Sequence, residues 1–317
     1  MRVIGVDEFG GPEVLKVFNV PEPHAGPGEV RIRVFAAAVN PTDTMTRSGA
    51  RAEMLKEFAP PYVPGMDAAG VIDEIGAPQG DSMALRVGQR VMAIVVPKGG
   101  YGAYSEHIVV PARSVAEVPT GVTFEAACTL PMNGLTARRS LDQLALRNGQ
   151  TLAVTGAAGA YGGYLVQLAK HEGLHVIADA SEADDELVRT LGADIVVRRG
   201  PDVASRILAV VPGGVDALAD GSVQNDAVFP AIRTGGQYVS VRGYTGEPVR
   251  GITSHHTWVR EYATEQEKLA ALGRLAESGA LSLRVGRVFP AADAARAHEI
   301  LHAGGTRGRL VLQFHAE

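Results

Sequence analysis

A chain of 317 residues, 46% hydrophobic and 21% charged, has ordinary globular usage, which argues against disorder and suggests about two domains. Thirty basic against thirty-five acidic residues give a net charge of −5, which disfavours a general polyanion binder and hence a nucleic-acid partner. The single cysteine, Cys128, supports neither an internal disulfide nor a cysteine-rich zinc site and fits a reducing compartment.

From Met1 to about Gly121 the pattern is short strands between Pro and Gly breaks. Val30-Arg31-Ile32-Arg33-Val34 alternates apolar and polar residues, as a half-buried strand does. Gly70 to Gly76, Arg90 to Val95 and Ser105 to Val110 read as further strands between turn residues. After Thr123 the texture changes. Short apolar runs at Thr151–Thr155, His175–Ala178, Ile195–Val197, Val215–Ala219 and Gln237–Val241 alternate with helical stretches. Those stretches run to about Glu172, from Ala183 to Leu191, from Asp202 to Val211, and to a helix end near Arg233. Strands alternating with helices predict βαβ units and a parallel sheet. Helical pattern resumes from Thr264 to Ser278, and Arg309 to Phe314 reads as a last strand. The longest uncharged stretch, Asn148 to Ala169, is too polar and glycine-rich to span a bilayer. The N-terminus carries Asp7 and Glu8 and no apolar signal core. The expectation is a cytoplasmic protein without a membrane partner.

The sharpest local signal is Thr155-Gly156-Ala157-Ala158-Gly159-Ala160-Tyr161-Gly162-Gly163, between a predicted strand and a predicted helix. A turn lacking side chains lets a diphosphate approach the backbone, and the helix start offers free N–H groups and a positive dipole end. The spacing is GxxGxxG rather than GxGxxG. Asp179, at the end of the next strand, follows Gly156 by 23 residues, close to the spacing of a ribose-binding carboxylate. The bland alternative is a tight turn for helix–strand packing.

Segments in order along the chain carry a wider resemblance. They are Ala37-Ala38-Val39-Asn40-Pro41-Thr42-Asp43 with Arg47-Ser48-Gly49, Pro60 to Gly70, Gly88-Gln89-Arg90-Val91 and Gly102-Ala103-Tyr104-Ser105-Glu106. Leu135-Thr136-Ala137, the glycine turn, Leu191-Gly192-Ala193-Asp194, Gly214-Val215-Asp216 and Gly308 to Leu312 follow. Together they resemble the medium-chain dehydrogenase/reductase superfamily in its zinc-free quinone oxidoreductase branch. The resemblance implies an α/β chain: a GroES-like, mostly β substrate domain over 1–122, completed by about 280–317, and a Rossmann doubly wound parallel-sheet domain over 123–279. It implies an active site in the interdomain cleft and a homodimer. It extends the dinucleotide set from Thr155, Gly156, Gly159, Ala160, Tyr161, Gly162 and Asp179 to Asn133, Ser181, Arg199, Gly221, Val241, Arg242 and Gly243.

No zinc is expected. Where zinc-dependent relatives place their cysteine and Gly-His-Glu ligands, this sequence has Asn40-Pro41-Thr42-Asp43 and Gly65-Met66-Asp67. Two carboxylates alone suit zinc poorly. The adjacent pair His255-His256 reads as a solvated loop. Hydride transfer from NADH or NADPH to a quinone or an α,β-unsaturated carbonyl is the implied activity. Asn40 offers an amide to the substrate oxygen or the nicotinamide carboxamide, or is a turn residue before Pro41. Asp43 holds a water or a neighbour, or caps the Thr44 to Arg47 turn. Tyr62 donates a phenolic proton, or packs. Thr136 opens toward the nicotinamide, or caps.

Branch members often carry a tyrosine shortly after Arg-x-Gly, absent here, and usually a valine where this turn has Tyr161. Asp179 favours a free ribose 2′-hydroxyl, whereas Arg198-Arg199 suits a 2′-phosphate, so NADH and NADPH both remain open. The alternatives are an enoyl-thioester reductase, for which Lys98, Arg242 and Arg250 are the basic candidates, and a non-redox sensor, cyclase or isomerase that keeps the fold.

Overall fold

The computed structural model describes residues 1–79, 84–97, 101–247 and 249–316. The chain forms two compact units, one of Met1–Met132, Ala263–Glu277 and Leu283–Glu317, the other of Asn133–Tyr262 and Ser278–Ser282. No helix among the described residues is long and apolar enough to cross a membrane.

The first unit is built on the strand Glu29–Ala38, longer than its alternating five-residue signature. Val30, Ile32 and Val34 are buried, while Arg31 and Arg33 point the other way, so the period of two puts one face into the core. It pairs antiparallel with Asp67–Ile75 and His107–Pro111. The remaining strands extend this to seven in the order Val285–Pro290, Arg309–Gln313, Glu29–Ala38, Asp67–Ile75, Arg90–Ile94 and Val115–Glu117, with His107–Pro111 beside Glu29–Ala38. The C-terminal strand returns here, with Val311 opposite Ala38 and Leu312 opposite Ala37. One apolar core joins residues as distant in sequence as Val3, Ile72, Tyr104 and Leu312. The helix Gln266–Glu277 is fixed to this unit by Gln266, whose amide donates to the carbonyls of Ala112 at 3.1 Å and Val115 at 2.8 Å.

The second unit holds a six-stranded sheet in the order Ile195–Arg198, His175–Ala180, Thr151–Thr155, Val215–Asp220, Ile232–Ser240 and Thr253–His256. Every neighbouring pair is parallel. The chain winds outward from Thr151–Thr155, then restarts on its other side at Val215–Asp220. That reversal leaves a crevice at the carboxyl ends of these two strands, where open α/β sheets bind ligands.

Three local readings need correction. The segment ending near Arg233 is a 3-10 helix, Asn225–Ala231, with Pro230 inside it. Proline lacks the N–H that a longer α-helix needs there. Thr253–His256 is an edge strand, not a loop, and His255 Nε2 lies 2.8 Å from Gln237 Oε1 on the neighbouring strand. Its Thr-Ser-His-His sequence carries no apolar alternation to betray it. The Thr44 to Arg47 turn is part of a helix, Pro41–Arg47, for which Asn40 is the N-cap.

Candidate functional site

The second unit presents a strand–turn–helix at the crevice. The strand Thr151–Thr155 ends, Gly156 takes φ +69°, and Gly159 N-caps the helix Ala160–His171. The turn is tight because the glycines permit it. A Cβ on Gly162 would stand 2.3 Å from the Gly156 carbonyl oxygen, and one on Gly221 would stand 2.8 Å from that of Thr155. Gly159 is different, since its Cβ would meet only the Gly156 oxygen, at 3.1 Å. The first intrahelical bond described runs from Gly163 N–H to Gly159 O, so the amides of Ala160, Tyr161 and Gly162 have no acceptor within the helix. Gly159 supplies no capping side chain. A helix start with bare amides and no capping side chain suits a diphosphate.

Asp179 ends its strand 5% exposed, and its Oδ1 accepts from Gly156 N–H at 2.7 Å and Ala157 N–H at 3.3 Å. Its other oxygen accepts no hydrogen bond among the described residues. Burial raises the Asp179 pKa above the ordinary carboxylate range, opposed by the two amides and by the Arg199 charge. Arg199 is exposed and its backbone is held by Ala180 O at 2.8 Å. Arg198, by contrast, pairs with Glu182 at 3.3 Å. The Ser181 hydroxyl is committed to Asp184.

Across the crevice, Asp220 organises the loop after its strand. Its oxygens accept from Thr155 Oγ1 at 2.6 Å, Asn225 N–H at 2.8 Å and Tyr238 O–H at 2.9 Å. Val241, Arg242 and Gly243 follow the strand Ile232–Ser240. Arg242 is exposed, its N–H 3.3 Å from Ser240 Oγ, and Gly243 has φ +71° against the His256 ring. Asn133 and Thr136 lie on the helix Pro131–Leu144, which has no counterpart among the expected elements. Tyr161, where relatives usually carry valine, turns inward. Its ring is buried and its hydroxyl donates to Ser140 Oγ at 2.9 Å.

The first unit gathers its candidates into a buried polar cluster. Asp43 Oδ2 accepts from Asn40 N–H at 2.8 Å and Tyr104 O–H at 3.2 Å, and Oδ1 from Gly65 N–H at 3.0 Å. The Tyr104 oxygen also lies 3.0 Å from His298 Nε2. Burial pushes Asp43 up to about 7 and His298 down to about 3, the Arg47 charge adding to the second effect. The Asn40 amide is spent internally: Nδ2 donates to Asp67 at 2.9 Å and Ala38 O at 3.2 Å, while Oδ1 accepts from Arg309 at 2.7 Å. Tyr62 stacks on Phe9 with centroids 5.4 Å apart, and its hydroxyl donates to Phe58 O at 3.1 Å.

Of the two carboxylates that stand where zinc-dependent relatives place ligands, Asp67 already faces a cation. Asp67 is bound by the Arg309 guanidinium and by Met132 N–H, and a fixed cation beside a carboxylate opposes a second one. Among the described residues no three His, Cys, Asp or Glu side chains stand together as a metal set. Of the basic candidates for a thioester phosphate, Lys98 lies outside the described residues. Arg250 donates to the carbonyls of Phe229 and Ile232.

Ser140, Asp220, Tyr104, His298 and Arg309 escaped the sequence reading as site residues. Tyr104 and Arg309 lie in segments that carried the resemblance, yet their partners are far away in sequence. No local spacing marks such contacts.

Known proteins match along the whole length. Residues 26–120 match the family described as alcohol dehydrogenase GroES-like domain, and residues 191–312 match zinc-binding dehydrogenase. The quinone oxidoreductase of Mus musculus is 33% identical, covering 98% of this chain and 97% of its own. The chloroplastic NADPH-dependent alkenal/one oxidoreductase of Arabidopsis thaliana is 32% identical over 78% of this chain and 64% of its own length. A mycobacterial protein solved in complex with NADPH superposes with a TM-score of 0.85 at 30% identity, covering 99% of both chains.

Proposed function

The chain belongs to the medium-chain dehydrogenase/reductase superfamily, among its quinone oxidoreductases, and from that premise we propose that it transfers hydride from NADPH to a quinone or an α,β-unsaturated carbonyl without using zinc. It is an NAD(P)H-dependent oxidoreductase with a GroES-like domain and a Rossmann-type sheet. The observation that carries the reading is the glycine turn leading into the helix Ala160–His171, whose first amides have no acceptor within the helix, directly after the central strand and at the reversal of strand order.

The bound coenzyme supplies a hydride from its nicotinamide ring. The protein contributes binding and orientation. The amides of Ala160, Tyr161 and Gly162 hold the diphosphate. Asp179 keeps the turn in shape through Gly156 and Ala157, and this favours NADPH: one carboxylate oxygen is already committed and Arg199 is exposed beside it to meet a 2′-phosphate. Asn133 and Thr136 carry the nicotinamide side on the helix Pro131–Leu144. Asn40 and Asp43 act as positioning residues, because their polar atoms hold backbone and Arg309 rather than remaining free for substrate. A quinone needs no positioned acid, because the reduced anion takes its proton from water. That suits a Tyr62 hydroxyl bonded to Phe58 O.

The test is coenzyme oxidation against a panel of quinones and enones, with enoyl thioesters alongside. NADPH consumption with quinones or enones is the expected result. Binding without turnover across the panel would instead favour a sensor, cyclase or isomerase. A homodimer and a cytoplasmic location complete the proposal, and light scattering checks the first.

A further inference from the structure

We infer that Tyr161 is a positioning residue: its hydroxyl, held by Ser140, sets the spacing between the diphosphate-binding helix start and the helix Pro131–Leu144. The inference rests on the dinucleotide reading above and adds a residue-level tie between its two halves.

Tyr161 is the second residue of the helix Ala160–His171, so its own backbone N–H is one of the three bare amides. Its side chain turns inward, 8% exposed. The ring runs past Gly221, at the end of the neighbouring strand, so closely that a Cβ there would stand 3.0 Å from Cδ1. Beyond the ring, the hydroxyl donates to Ser140 Oγ at 2.9 Å, and Ser140 Oγ donates onward to Thr136 O at 2.9 Å. Thr136 and Ser140 are four residues apart and share one face of their helix. A long bond of 3.5 Å from Thr257 Oγ1, just past the edge strand, reaches the same Thr136 carbonyl.

One side chain therefore links the diphosphate turn to the helix carrying Asn133 and Thr136. Burial raises the hydroxyl pKa further above its ordinary value, so the group stays protonated and donating across the working pH range. The ring is rigid and blocked by Gly221, so the Tyr161–Ser140 bond closes only at one helix separation. A whole dinucleotide must satisfy both ends of that separation. A fragment ending at the diphosphate and its ribose must satisfy one.

The bond can be removed cleanly. In Tyr161→Phe, Ser140 still donates to Thr136 O, so no buried donor is orphaned. Calorimetry would compare NADPH with 2′-phosphoadenosine diphosphoribose on the full chain. The expected result is fragment affinity within about twofold of the unmodified protein, and NADPH affinity lower by about three- to tenfold, the worth of one neutral hydrogen bond. The double variant Tyr161→Phe with Ser140→Ala should match Tyr161→Phe rather than lose a further factor. If Tyr161→Phe does not fold, Ser140→Ala must show the same split between fragment and dinucleotide. Unchanged NADPH affinity would overturn the inference, and so would an equal loss for fragment and dinucleotide, which would mark a purely structural tyrosine. Failure of the unmodified protein to bind either probe would instead bring down the dinucleotide reading, and this inference with it.

Discussion

Arg309, on the C-terminal strand, and Asp67, at the start of a strand far earlier in the chain, form a buried ion pair with Nη2 3.3 Å from Oδ2 and side chains 6% and 0% exposed. The same Nη2 reaches Asn40 Oδ1 at 2.7 Å and Val39 O at 2.9 Å, so one cation gathers three segments. Burial raises the Asp67 pKa, and the Arg309 charge opposes that rise more than any other group. Removing the cation leaves a carboxylate buried without its counter-charge. Arg309→Met should therefore cost about 3–5 kcal/mol in urea denaturation. The double variant with Asp67→Asn should cost clearly less than the sum of the singles. Additive losses would show that the pair is not coupled.

Asp43 gives stability a pH dependence of defined sign. Its folded pKa is about 7 against an ordinary 3.8, so between those values the folded state binds the proton and the unfolded state does not. The contribution of Asp43 to stability should therefore be fully present below the ordinary value and fall as pH rises toward about 7, with a limiting slope of one proton. The groups facing it are the amides of Asn40 and Gly65, Tyr104, Asp67 and Arg309, with His298 beyond Tyr104. Asp43→Asn should flatten that slope in unfolding curves collected across the window. An unaltered slope would place the proton elsewhere.

The two helix-side glycines of the turn should separate folding from binding. Gly162→Ala forces a Cβ to 2.3 Å from backbone oxygen, so it should lower thermal stability outright. Gly159→Asp meets only one atom, at 3.1 Å, and aspartate is a favourable N-cap, so the fold should hold or gain slightly. Its carboxylate nevertheless occupies the place proposed for the diphosphate. Coenzyme affinity should fall by about 3 kcal/mol or more, roughly a hundredfold, in calorimetry. Unchanged affinity in a folded Gly159→Asp would refute the site.

Coenzyme choice should depend on Arg199 more than on Arg198, which already pairs with Glu182. Arg199→Ala should lower kcat/KM for NADPH by about tenfold and leave NADH nearly unchanged, the loss of one charge-assisted pair. Asp179→Asn keeps an oxygen for the Gly156 and Ala157 amides and removes the charge, so it should move the ratio further toward NADPH. An Arg199→Ala variant that loses both coenzymes equally would argue for a scaffold role instead.

The sequence by itself determined the parallel sheet, the glycine turn and the strands along the chain that flank it. These are local properties: apolar runs of strand length, glycines that alone tolerate the turn, and an acid at the next strand's end. The expected strand at Thr151–Thr155 and the start of the one at His175 coincide with the observed elements for that reason. The polar edge strand Thr253–His256 and the Pro230-bearing 3-10 helix lack such a signal and were misread. The resemblance singled out Asn40, Asp43, Tyr62 and Tyr161, but what each side chain touches came only from the tertiary structure. Asn40 faces Arg309, 269 residues away, and Tyr161 faces Ser140, 21 residues back on another helix. A buried polar atom must find a partner, but the sequence states only that obligation. Which partner meets it depends on the chain closing, and closure is a property of the packed whole.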